Sequence, residues 1–175
     1  MLAARGGTID PTRELFMNSD ELKREIRRLA EANDPQLLEQ TVRLLHQTCR
    51  GWNWVGIYLL IGNELFLGPY IGKPTDHARI PVGTGVCGTA VKEDRNLIVD
   101  DVSKVENYLA CTLETRSELV VLIRHEGRVV GQFDIDSDQI AAFSLEDEDL
   151  LTDLSVLVGS ACADICNRYL EQTRG

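Results

Sequence analysis

The chain has 175 residues, 43% hydrophobic and 26% charged, with 14 Gly and 5 Pro, which is one domain's worth of an ordinary globular protein and excludes disordered, collagenous and low-complexity classes. Eighteen Lys and Arg against 28 Asp and Glu give a formal charge of −10, which argues against nucleic acid and anionic membrane as partners. No apolar run reaches the roughly 20 residues of a membrane span and the first residues lack a secretory apolar core, so a cytoplasmic protein is expected. Five cysteines, an odd count without regular short spacing, read as reduced thiols rather than a disulfide framework.

Residues 1–18 carry two glycines, a proline and no sustained period, and are expected to form a flexible arm ahead of a single domain over 19–175. Ser19 is the predicted N-cap of a first helix, with Asp20 and Glu21 at its positive end and Leu22, Ile26, Leu29 and Ala30 on one face. Asn33-Asp34-Pro35 ends it and starts a second helix, with Asp34 as cap and Pro35 at the first helical position, followed by Leu37, Leu38, Leu44 and Leu45. From Trp52 the pattern turns aromatic and β-branched, and Gly62-Asn63-Glu64 joins two strands into a hairpin. A long connection over 71–86 surrounds a short strand at Arg79–Val82; a short helix over 86–93 and a strand at 96–99 follow. Ser144, with three acids after it, caps a final helix reaching about Tyr169. That helix has apolar stripes through Leu151, Leu154, Val158, Ala161 and Ile165 and through Leu150 and Leu157, which require partner helices, either from this chain or from a second copy.

The hairpin Ser117–Asp136 carries the most chemistry. A three-residue loop His125-Glu126-Gly127 pairs Arg124 with Arg128, puts Leu119, Val121, Ile123, Val129, Gly131, Phe133 and Ile135 on the core face, and sets Glu118 opposite Asp134. The other face holds Val120, Leu122, Val130 and Gln132 and, at the far end, Glu118, Asp134 and Asp136. Three acids at one end of an otherwise apolar hairpin face require a cation, a shared proton or full solvation. The first case is a binding site and the last an ordinary wet hairpin end.

Gly83-Thr84-Gly85-Val86-Cys87-Gly88 matches the letters of a dinucleotide fingerprint but lacks the strand and helix alternation that motif needs. It reads instead as a glycine turn into a helix whose first turn holds Cys87, where the dipole favours a thiolate, or as a close turn around a small buried residue. Cys111 falls in an aperiodic segment just before the carboxylate hairpin. Cys162 and Cys166, at i and i+4, and Cys49 read as packing residues, His46 and His125 as surface residues, and no metal site is expected.

Taken together, Trp54–Tyr58, Ile80–Ala90, Ala110-Cys111, Ser117-Glu118 and Phe133–Ser137 resemble the free methionine-(R)-sulfoxide reductases, single GAF domains, over about residues 35–170. The resemblance implies an α/β (α+β) fold, a central antiparallel sheet flanked by N- and C-terminal helices. It implies Cys111 as the catalytic nucleophile, with Trp54, Tyr58, Glu118, Asp134 and Asp136 lining the pocket for free methionine sulfoxide. The chemistry it implies passes through a cysteine sulfenic acid, needs no bound cofactor, and draws electrons from a small thiol or a thioredoxin-like partner. A homodimer is expected. The family's resolving cysteine, ten residues before the glycine-turn cysteine, is replaced here by His77, which leaves Cys87 or the external thiol to resolve the sulfenic acid. The competing expectation is a non-catalytic GAF sensor, signalling as a dimer through its terminal helices.

Overall fold

The first helix starts at a capping box: the Asn18 side chain accepts the Glu21 N–H at 3.0 Å, and the Glu21 carboxylate accepts the Asn18 N–H at 3.0 Å. The computed structural model describes residues 17–106, 109 and 114–173; most of the expected arm (1–16) and Cys111 lie outside these. The chain runs α1 (Ser19–Glu31), α2 (Leu37–Thr48), β1 (Trp54–Ile61), β2 (Glu64–Ile71), β3 (Arg79–Pro81), α3 (Gly85–Glu93), β4 (Leu97–Val99), β5 (Ser117–His125), β6 (Arg128–Ser137) and α4 (Leu145–Thr173). One 3-10 turn, Val102–Lys104, separates β4 from β5.

The six strands form one antiparallel sheet in the order β3-β2-β1-β6-β5-β4, so the expected central antiparallel sheet with flanking helices is the observed fold. Period-two alternation divides its side chains. Val55, Ile57 and Leu59 of β1, with Leu119, Val121, Ile123, Phe133 and Ile135 of β5 and β6, pack against Leu22, Ile26, Leu38, Val42, Leu45, Leu151, Leu154 and Val158 of α1, α2 and α4. The other face carries Trp54, Tyr58, Val120 and Leu122 beneath Val86, Cys87 and Ala90 of α3. The helices that cover the long α4 stripe are therefore α1 and α2 of the same chain, and Lys23 of α1 pairs with Asp153 of α4 at 2.5 Å.

Three local expectations are corrected. The α1 cap is Asn18 rather than Ser19, because Asn18 finds Glu21 at the third helical position. Helix α2 begins at Leu37, since Asp34 caps a tight turn, its Oδ1 accepting the Gln36 N–H at 2.8 Å, instead of opening the helix at Pro35. The β5–β6 loop has two residues: Glu126 (φ 49°) and Gly127 (φ 77°) both take the left-handed region, and His125 pairs with Arg128. Two positive φ angles give the turn whose twist matches the flanking strands.

That change of loop would throw Glu118 onto the helix face if nothing compensated. A bulge does. Ile123 pairs with Gly131 and Arg124 with Val129, leaving Val130 as the extra residue. The combined offset from the predicted pairing is two residues, so the face assignments beyond the bulge survive while the partners change. Glu118 lies opposite Asp136, not Asp134, and Asp134 lies opposite Val120. On the turn side of the bulge, Val130 joins the helix-side core and Val129 the opposite cluster, the reverse of the expectation.

Candidate functional site

The site is built on the sheet face away from α1, α2 and α4. Strand β1 contributes Trp54 and Tyr58, 1% and 0% exposed. The Trp54 ring lies over Gly56, where any Cβ would strike its benzo edge, and it stacks on Tyr70 (centroids 5.3 Å, 19° between planes) and on Tyr58 (6.3 Å, 27°). Its indole N–H donates to the Lys73 carbonyl at 3.1 Å, and the Tyr58 hydroxyl donates to the His77 carbonyl at 2.9 Å. These bonds tie the β2–β3 connection to the aromatic wall, and they place His77 beside the site through its backbone.

Strand β6 is the neighbour of β1 in the sheet, with Trp54 paired to Asp136, Gly56 to Asp134 and Tyr58 to Gln132. Strand β5 brings Glu118 against Asp136 from the other side. All three carboxyls are buried, which excludes the wet hairpin end. Cys87, in the first turn of α3, lies 3.7 Å from Glu118 Oε1 in donor geometry. The helix end is thus not the sole field on that sulfur, which faces a carboxyl rather than a cation.

Burial pushes the Glu118 carboxyl well above its ordinary range; the charges on Asp134 and Asp136 and a hydrogen bond with Asp134 add to the rise, and the Cys87 thiol opposes it. Burial also raises Asp136, the Asp134 charge adds to this, and Thr115 opposes it. Burial thus biases Glu118 and Asp136 towards their protonated forms, because an uncompensated buried charge costs several kcal/mol. Cys87 Sγ and one carboxylate oxygen each from Glu118 and Asp134 lie within 4.8 Å of one another, a spacing that suits a divalent cation or a substituted ammonium.

A cleft of about 160 Å³ beside the cluster is lined by Trp54, Asp136, Lys73, Glu114, Thr115 and neighbours at Asn53 and 137–138. Lys73 and Glu114 pair across it at 2.5 Å. The volume is below the roughly 300–1,000 Å³ of drug-sized pockets and fits a ligand of amino-acid size. Tyr58, Glu118 and Asp134 do not line this cleft.

Of the residues singled out in the sequence, Trp54, Tyr58, Cys87, Glu118, Asp134 and Asp136 therefore share one sheet face, and Cys111 lies outside the described residues. The described neighbours of Cys111 do reach the site: Leu109 packs on Gly85 at the start of α3, and Glu114 meets Lys73. Tyr70, Lys73 and Thr115 escaped sequence reasoning because each owes its place to a loop or to a cross-strand partner, which no spacing announces.

The fold and the acid-lined face define the class: the GAF domain model matches residues 35–162, and the chain belongs to the GAF domain family. It is 42% identical over 106 residues to GAF domain-containing protein A of Dictyostelium discoideum, covering 60% of this chain and 66% of that protein. It is 39% identical over 117 residues to the free methionine-R-sulfoxide reductase of Escherichia coli (strain K12), covering 67% of this chain and 70% of that protein. The X-ray structure of free methionine-R-sulfoxide reductase from Neisseria meningitidis in complex with its substrate superposes with a TM-score of 0.76 at 31% identity, covering 87% of this chain and 91% of that one. The chain spans about two thirds of the length of the curated relatives it matches. No described helix is long and apolar enough to cross a membrane.

Proposed function

We propose that this protein reduces free L-methionine-(R)-sulfoxide to methionine at the expense of a thiol. The observation that carries the reading is the buried trio Glu118, Asp134 and Asp136 beside the Trp54 and Tyr58 rings: the acids suit an α-ammonium, and the rings suit an S-methyl group. A relative named for this reaction shares 39% of the aligned residues, and a solved structure named for it shares the fold.

In this mechanism the Cys111 thiolate attacks the sulfoxide sulfur, and the oxygen passes to the cysteine as a sulfenic acid. The attack forms an S–S bond and the protonated oxygen leaves the substrate sulfur. That oxygen adds to the cysteine sulfur as the hydroxyl of the sulfenic acid, and methionine departs with the electron pair of the broken S–S bond. A neutral carboxyl, Glu118 or Asp136, protonates the sulfoxide oxygen, a role for which a carboxyl held neutral by burial is suited. One thiol then condenses with the sulfenic acid, releasing water and leaving a disulfide. A second thiol reduces that disulfide. With His77 in place of a resolving cysteine, the first thiol is Cys87 or an external one, small or thioredoxin-like.

Cys111→Ala tests the reading: turnover of methionine sulfoxide with dithiothreitol is expected to vanish. Activity surviving the substitution overturns the role of Cys111. Cys87→Ser separates the regeneration routes, since it slows multiple turnover only if Cys87 resolves the sulfenic acid. A protein that binds methionine sulfoxide or another small molecule without turnover is instead a GAF ligand sensor.

A further inference from the structure

Gln132 is a buried polar side chain that the proposed chemistry does not use. It lies on β6 with 0% exposure, paired across the sheet with Tyr58 on one side and Leu122 on the other. It precedes Asp134 by two residues and so shares the carboxyl-bearing face. Neither its Nε2 nor its Oε1 has a hydrogen-bond partner among the described residues. Burying both ends of an amide without partners is costly and rare in folded proteins, and an aliphatic side chain would fill the same space without that cost. The residue is explained if a ligand supplies both an acceptor and a donor.

The head group of a free α-amino acid does so: its carboxylate accepts from Nε2, and its ammonium donates to Oε1. The site requires such a donor. The three carboxyls attract an ammonium but repel the carboxylate attached to it. Two side-chain donors on this face are engaged, the Trp54 indole with the Lys73 carbonyl and the Tyr58 hydroxyl with the His77 carbonyl.

We propose that Gln132 binds the α-ammonium and α-carboxylate of the free amino acid together, and so selects substrates with an unblocked head group. The inference rests on the reading of this face as an amino-acid pocket, and it names the residue that reads the carboxylate.

Gln132→Met keeps the length of the side chain and removes the amide, and calorimetric titration with L-methionine-(R)-sulfoxide together with a thermal melt reads both consequences. The expected result is an unchanged or higher melting temperature, with binding weakened about tenfold, or ~1.4 kcal/mol. An unchanged affinity overturns the proposal, whatever the melt shows, and assigns the amide to the fold alone. If the Met variant does not fold, Gln132→Glu, which keeps the acceptor and loses the donor, is expected to weaken binding at least as much. A wild-type protein that ignores the sulfoxide but binds another free amino acid, with the variant weakening that binding, would refute the substrate reading and uphold the role of Gln132. A wild type that binds no free amino acid refutes both.

Discussion

Glu118 and Asp136 are acids that the fold prefers protonated, and this fixes the sign of a pH effect. A carboxyl whose folded pKa lies above its unfolded value binds more protons in the native state, so stability falls as pH rises above the unfolded value and levels off only beyond the folded one. With ordinary values of 4.5 and 3.8, the ligand-free protein is expected to lose stability as pH climbs from about 4 towards neutrality. Glu118→Gln removes part of this loss: at pH 7 its urea midpoint is expected to exceed that of the wild type, while affinity for methionine sulfoxide drops by about 2 kcal/mol or more through the missing partner for the ammonium. A variant less stable than wild type at pH 7 would mean that Glu118 is ionised and satisfied in the fold. That these residues share a face was legible in the sequence, because alternation alone decides it. Their partners were not, because Glu126 enters the left-handed region and Val130 bulges, and neither residue type announces that conformation.

At the level of elements, α4 and the two large hairpins were legible from long apolar stripes, from Ser144 as a cap and from Gly-containing turns. Ser144 does accept the Asp147 N–H, at 3.3 Å, and donates from its hydroxyl to the Asp147 carboxylate at 2.7 Å. The 3-10 turn at Val102–Lys104 and the start of α2 were not legible, since both depend on single side-chain bonds to backbone, from Asp101 and Asp34. The seating of α4 on the sheet makes a specific prediction at Gly159. In an open helix, Gly→Ala gains about 1 kcal/mol of propensity. Here a Cβ would run into the Arg124 carbonyl of β5, and backbone cannot yield as a flexible side chain does. Overpacking of about 1–3 kcal/mol outweighs the propensity gain, so Gly159→Ala is expected to lower the melting temperature by a few degrees. A higher melting temperature would mean that α4 does not sit this close to β5.

For the whole molecule, composition sets the bounds and the fold locates the site within them. The charge of −10 argues against polyanionic ligands, and the buried acids place the same preference at the centre of the sheet face. The α1–α2–α4 layer makes the core, while the opposite face is left to α3 and the β2–β3 connection, which is where a small ligand can be enclosed. The central claim is that this face takes a free amino acid whose sulfoxide is then reduced. Its most direct test is an epimer-resolved assay of the wild-type protein with excess dithiothreitol, supplied separately with free L-methionine-(R)-sulfoxide, the free (S) epimer and a peptide-bound (R)-sulfoxide. Methionine is expected from the free (R) epimer alone. Release from the peptide, equal consumption of both epimers, or no methionine from any of the three would contradict the account.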